Sequence, residues 1–166
     1  MPEFPHIKAR DLAKYLLAIQ GAMSHLKLQK LLYYVEAWHL ALYDQALIPD
    51  DFKAWVHGPV CPDVWHMVKD LSILNGEIFI KEDKKDVVLS RGKKALSRDQ
   101  IALIKDVLEE YGDKSAHHLE ALTHSELPWI EARGNLPASQ ASSNRIKKST
   151  MKKFYRERLQ HGKKVA

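Results

Sequence analysis

The chain has 166 residues, with 26 Lys+Arg against 21 Asp+Glu, for a formal net charge of +5. Nine of those basic residues (Arg145, Lys147, Lys148, Lys152, Lys153, Arg156, Arg158, Lys163 and Lys164) and the single acid Glu157 fall in residues 145–166, so the tail carries +8 and residues 1–144 carry −3. This asymmetry excludes a uniformly basic, nucleic-acid-binding surface and confines that question to the tail. The one cysteine, Cys61, excludes an intrachain disulfide and a Cys-based zinc finger. No apolar run approaches the roughly 18 residues of a membrane-spanning helix. The start, Met-Pro-Glu-Phe-Pro, has neither the basic end nor the apolar centre of a signal peptide, and the expected compartment is a reducing cytoplasm. The length suits one domain, taken as 1–166.

In chain order, residues 6–20 predict a first helix, with Ile7, Leu12, Tyr15, Leu16 and Ile19 near helical spacing and Gly21 as its stop. Residues 25–43 predict a longer helix capped by Ser24. Leu28, Leu31, Leu32, Val35, Trp38 and Leu42 form one stripe, and Tyr34, Ala37 and Ala41 add a second. Only His25, Gln29, Glu36, His39 and Tyr43 leave a narrow polar strip. A helix apolar nearly all round is buried on most sides, so this is the expected centre of a mainly α, multi-helix domain. Phe52–Val56 reads as extended before the Gly58-Pro59 turn, and Pro62 as the first position of a helix carrying Val64, Trp65, Val68 and Leu71. Residues 77–80 and 86–89 are β-rich and predict a small hairpin over 77–89. Ser97 and Gln100 fit a capping box for a helix that Gly112 closes. Further helices are expected at 115–124, from Pro128 through Trp129 and Ile130, and at 150–160. A loop is expected at 134–149 and a frayed tail at 161–166.

Glu36-x-x-His39 and Asp63-x-x-His66, with Glu120 and His124 four apart, place a carboxylate and an imidazole on one helix face. Two-metal bundles need further glutamates, and nothing obvious supplies them. Cys61 has no evident neighbour to lower its pKa, and Ser115 beside His117 and His118 lacks the elbow glycines of a nucleophilic serine. There is no phosphate loop and no dinucleotide fingerprint. The reading is therefore a non-enzyme without metal or cofactor. The first two helices could be taken as helix-turn-helix, but the second offers Leu, Val, Tyr and Trp, with Lys27 and Lys30 only in its first turn. That is the wrong chemistry for base edges, so nucleic acid is disfavoured as partner. The tail helix pairs an apolar face (Met151, Phe154, Tyr155, Leu159) with a basic one (Lys152, Lys153, Arg156), as a docked helix would.

Three segments carry a resemblance. They are Lys27-Leu-Gln-Lys-Leu-Leu-Tyr-Tyr-Val-Glu-Ala-Trp-His39, Phe52-Lys-Ala-Trp-Val-His-Gly-Pro-Val-Cys-Pro-Asp-Val64, and Leu122-Thr-His-Ser-Glu-Leu-Pro-Trp129 followed by Ala132-Arg133. Their order and spacing, with the closing Met-Lys-Lys-Phe-Tyr segment, resemble the Panacea domain, also called the SocA-like or GepA-like phage-associated domain, from about residue 8 to 160. The resemblance implies an antitoxin of bacterial and prophage type II toxin–antitoxin pairs, which binds and neutralises a cognate protein toxin encoded beside it. It also implies an alternative, an adaptor that delivers the toxin to the ClpXP protease. It assigns no catalytic residue. Leu28, Leu31, Trp38, Gly58, Pro59, Thr123, His124, Pro128 and Trp129 are expected to specify the fold. Lys27, Lys30, Tyr34, Trp55 and His57, together with Lys152, Lys153 and Arg156 of the tail, are the expected toxin contacts.

Overall fold

The computed structural model describes residues 6–161. Eight α-helices run in order through them: α1 (Ala9–Gln20), α2 (His25–Tyr43), α3 (Pro62–Met67), α4 (Glu82–Ala95), α5 (Arg98–Tyr111), α6 (Ala116–His124), α7 (Leu127–Arg133) and α8 (Lys148–Gln160). Five short strands join them: β1 (Met23–Ser24), β2 (Lys53–Trp55), β3 (Gly58–Val60), β4 (Ser72–Leu74) and β5 (Glu77–Phe79). The strands form two antiparallel sheets, one of order β1-β5-β4 and one of β2 with β3. The mainly α architecture expected from the sequence is what forms. No described helix is long and apolar enough to cross a membrane.

Helix α2 is the axis of the core. Ser24 caps it, its hydroxyl accepting from the Lys27 amide at 3.2 Å, and Asp44 ends it in the left-handed region. Every residue from Leu28 to Ala41 is buried. It packs against α1, α5, α6, α8 and β3. The stripe reading is right for Leu28, Leu31, Leu32, Val35 and Trp38, whereas Leu42 stays 41% exposed. The strip expected to face water behaves differently: Gln29, Glu36 and His39 are fully buried, as is Lys30. Each is held by a partner from another element, so their polarity serves cross-links inside the core.

Glu77–Phe79 is a strand as expected, but its hairpin partner precedes it. Asn75 and Gly76 both have positive φ, the requirement of a two-residue type I′ turn, and pair Ser72 with Phe79 and Leu74 with Glu77. Residues 86–89, expected as the second strand, lie in α4. Glu82 and Asp83 in its first turn and Lys93 and Lys94 in its last suit the helix dipole and outweigh the β-branched Val87-Val88 pair. Gly92 lets α4 lie close on α1, because a Cβ there would meet the ring of Tyr15. Helix α8 begins at Lys148, two residues before its expected start. Apart from His161, the expected frayed tail lies outside the described residues.

The capping box forms in both directions: Ser97 Oγ accepts from the Gln100 amide at 3.2 Å, and Gln100 Oε1 accepts from the Ser97 amide at 2.9 Å. Ser97→Ala should cost about 1 kcal/mol in a urea melt. Gln100→Ala should cost more, because the buried Gln100 amide also contacts His39 Nε2 at 3.1 Å.

Candidate functional site: an aromatic groove at the start of the central helix

The three sequence motifs are hydrogen-bonded to one another. Gln29 brackets Cys61: its Oε1 accepts from the Cys61 amide at 2.8 Å, and its Nε2 donates to the Cys61 carbonyl at 3.3 Å. Lys30 Nζ donates to the Pro59 carbonyl at 3.1 Å. Gly58 makes this fit possible. It sits at φ +100°, and a Cβ on it would lie 2.5 Å from Lys30 Cε and 2.9 Å from Thr123 Oγ1. The third motif closes the triangle. Trp129 Nε1 donates to the Trp55 carbonyl at 2.9 Å, and the Tyr34 hydroxyl donates to Glu126 Oε1 at 2.7 Å. His124 stacks on Trp129 at 4.0 Å, and His57 Nδ1 lies 2.7 Å from Glu120 Oε1. Motif residues far apart in sequence thus fix the β2–β3 hairpin on the first half of α2.

That fixed hairpin opens a groove of about 720 Å³. Its walls are the start of α2 at Ser24–Leu26, the hairpin residues Trp55, His57 and Val60, Trp65 of α3, and residues 141–143. Trp55 and Trp65 meet edge to face at 5.2 Å, and His25 lies against Trp65 at 4.5 Å. Among the described residues, no Lys, Arg, Asp or Glu lines the groove. Burial, helped by the charge of Lys30, pushes His25 down to about 4, so it is neutral at pH 7. Trp65 is 43% exposed there, which makes it a large apolar side chain left open to solvent.

The basic face of α8 is spent on docking. Lys148 Nζ reaches Glu36 Oε2 at 2.6 Å, while Glu36 Oε1 takes the Leu47 amide at 2.7 Å. Lys152 pairs with Asp44 at 2.8 Å, Arg156 Nε donates to the Ala41 carbonyl at 3.1 Å, and Arg158 reaches Glu126 Oε2 at 3.0 Å. Met151 and Tyr155 are buried beneath them.

The expected toxin contacts therefore divide. Trp55 and His57 line the groove, with His57 exposed and Trp55 half-buried, and Lys27 is half-buried one turn into α2. Lys30 and Tyr34 are fully buried and offer no surface to a partner, a correction that follows from the hairpin and α6 covering that side of α2. Lys152 and Arg156 hold the far end of α2, which, from Asp44 back to Ser24, is about 30 Å from the groove at 1.5 Å rise per residue. Lys153 is exposed beside them. Among the expected fold-specifying residues, Leu28, Leu31, Trp38, Gly58, Pro59, Thr123, Pro128 and Trp129 are buried, and His124 is partly so.

The other candidate chemistries meet the same kind of account. Glu36 is held by Lys148 and two amides, His39 Nδ1 by the Gln45 carbonyl at 2.6 Å, and Asp63 by Arg10 at 3.0 Å. Among the described residues, no group of three or more His, Cys, Asp or Glu side chains could hold a metal ion. Cys61 is buried, and burial pushes its thiol up to about 11, away from a reactive thiolate. Glu126 and Arg133, both buried, turn out to organise the site. Neither stands out in the sequence by type, although one lies within the third motif and the other ends it.

These features define a small, mainly α domain whose motifs build an aromatic groove without Lys, Arg, Asp or Glu in its lining. The family model described as antitoxin SocA-like, Panacea domain matches residues 28–130, and the chain belongs to that family. No curated protein and no solved structure matches the chain. The matched span takes in α2 from Leu28 onward, the β2–β3 and β4–β5 pairings and the groove residues Trp55, His57, Val60 and Trp65; it begins after β1 and stops before Arg133 and α8.

Proposed function

We propose that the chain is a single-domain antitoxin that binds its cognate protein toxin directly and neutralises it, with the groove at the start of α2 as the contact. Family membership supports the antitoxin role. The observation that carries the choice of surface is the pair Trp55 and Trp65, held open to solvent in a lining without Lys, Arg, Asp or Glu. Aromatic residues in a partly desolvated pocket are the usual anchors of protein interfaces. Such a lining accepts an aromatic or aliphatic side chain of the toxin and penalises a charged one, which would lose its water without gaining a counter-charge. His57 is the exposed polar side chain of that lining. The reading is one of occlusion by binding and needs no chemical step.

The test is co-expression with the product of the neighbouring open reading frame. The parent chain should restore growth, and Trp65→Glu should fail to restore it while melting at the parent temperature. A neighbouring product that is harmless alone defeats the antitoxin reading. A Trp65→Glu chain that protects as well as the parent defeats the groove.

A further inference from the structure

One wall of the groove differs in kind from the others. Residues 134–145 contain no buried side chain, so this stretch does not reach the core through apolar contacts. At its far end it is tied to β2: the Ala54 amide donates to the Asn144 carbonyl, and the Ile146 amide to the Phe52 carbonyl, each at 2.8 Å. Between these points runs a strap, 137–143, whose last three residues face Trp55 and Trp65 across the groove. Past 140 the strap is held locally, the Asn144 amide donating to Ser142 Oγ at 3.1 Å and Asn144 Nδ2 to the Ala132 carbonyl at 3.0 Å, whereas residues 137–140 are tied to the body by one side chain. Arg133, only 3% exposed, sends Nη2 to the carbonyls of Pro137 at 2.8 Å and Gln140 at 2.5 Å, with Ala138 at 3.4 Å. Its Nη1 donates to the Ala54 carbonyl of β2 at 3.0 Å. The same guanidinium lies 5.1 Å over the ring of Trp129, whose indole N–H fixes the Trp55 carbonyl.

We propose that Arg133 is the positioning residue of the groove. It sets the strap at a fixed distance from the aromatic wall, and so makes 141–143 the wall that determines which toxin side chain fits. The planar fork suits this task, because one rigid group reaches carbonyls of two separate segments at once, which a lysine ammonium cannot do in the same geometry. The strap's own side chains, Ala141, Ser142 and Ser143, are small and leave the backbone position to set the width. This inference rests on the groove being the toxin contact.

A spin label at Ser142→Cys reads the strap directly, since Cys61 is fully buried and remains unlabelled; a second label at Glu109→Cys, on the exposed side of α5, reports general loosening. Arg133→Gln should shift the Ser142 label from slow to fast motion and leave the Glu109 label unchanged. Arg133→Lys should fall between, and gives the same comparison if the glutamine chain folds poorly. Both variants should protect cells from the toxin less well than the parent. Equal changes at the two labels, or none, would overturn the positioning role. A loosened strap with undiminished protection would overturn the specificity role, and Trp65→Glu then separates two causes. If Trp65→Glu has lost protection, the groove reading stands and only the strap proposal falls. If it also protects, the groove reading has failed.

Discussion

Lys30→Met should raise stability at pH 7 and remove a pH dependence that the parent protein shows between pH 7 and 9. Lys30 has no exposed surface, and its ammonium has Pro59 as its hydrogen-bonded acceptor. Burial pushes it down to about 7, against the opposing pull of Glu120. In the unfolded chain it titrates at its ordinary 10.5. Between those values the unfolded state holds a proton that the folded state lacks. Stability therefore rises with pH in this window, by at most about 1.4 kcal/mol per pH unit, and is level below it. From pH 7 to 9 the parent should gain about 2 kcal/mol by this route. Methionine has similar length and no charge to desolvate, so its profile should be flat. Leaving the Pro59 carbonyl without a donor costs about 1–3 kcal/mol, which keeps the net gain at pH 7 to roughly 1–2 kcal/mol and places the crossover near pH 9. Urea melts at half-unit steps measure this. They should stop short of pH 10, because Tyr33, Tyr34 and Tyr155 have buried hydroxyls raised above their ordinary value. There the unfolded chain loses protons that the folded one keeps, and stability falls. On the acid side, burial lowers His25, His39 and His124, so stability should also fall below about pH 6.5 as the unfolded histidines charge first. A parent with level stability from pH 7 to 9, and a methionine variant weaker than the parent throughout, would show that Lys30 is a satisfied buried cation.

Lys30 also marks the limit of what the sequence makes legible. The existence, ends and burial of α2 follow from local signals: Ser24 as cap, apolar residues on nearly every face, and no helix breaker within it. The capping box at Ser97 and the proline start of α3 are equally local. A helix apolar all round, however, has no outside that periodicity can identify. Gln29, Glu36 and His39 read as a narrow polar strip, and Lys30 as a partner contact, because nothing nearby in sequence answers them. Their partners are Cys61, Lys148, Gln45 and Pro59. Lys148 lies 112 positions from Glu36, a separation no local rule spans. The displaced hairpin is a different failure. The Asn75-Gly76 pair is the stronger turn signal, whereas Lys81–Lys85 resembles a turn only through the β-rich Val87-Val88-Leu89 beyond it.

The groove was half legible. Trp55 and His57 are read correctly beside the Gly-Pro turn, because a turn exposes its neighbours. By sequence Trp65 is one more apolar position of α3, and helical spacing cannot tell that its ring is left 43% exposed against His25. The tail illustrates charge without visible destination. Its excess of basic residues suggested a partner, yet four of them turn inward onto α2 and Glu126. That leaves the +5 of the whole chain a statement about how α8 docks more than about what the protein binds.

Glu126 is where that docking is most exposed to test. Only 6% of it is accessible, and its carboxylate takes the hydroxyls of Tyr34 at 2.7 Å and Tyr155 at 2.8 Å on one oxygen and Arg158 at 3.0 Å on the other. Tyr34 in turn stacks on Tyr111 at 4.0 Å, and Tyr111 accepts from Trp38 Nε1 at 3.0 Å. Burial raises the carboxyl above its ordinary range, while the three donors favour the ionised form. Glu126→Ala removes the shared acceptor, leaving the Tyr34 hydroxyl without it, the Tyr155 hydroxyl with Tyr33 alone, and the Arg158 guanidinium with only the Phe154 ring. Breaking a buried charged network from one side costs about 3–5 kcal/mol, a fall in Tm of roughly 10 °C for a chain this long. Glu126→Gln keeps the shape and one acceptor oxygen, so it should cost about half as much, its amide N–H facing donors rather than acceptors. The partners should couple. Once Glu126 is alanine, Tyr155→Phe removes a hydroxyl that has already lost its acceptor, and the double variant should be more stable than the sum of the two losses predicts. Because α8 joins the core through this carboxylate and through Lys148, amide exchange in α8 should accelerate before that in α2. Strict additivity of Glu126→Ala and Tyr155→Phe, or unchanged exchange in α8, would mean that Met151 and Tyr155 packing and the ties to α2 hold the helix without Glu126.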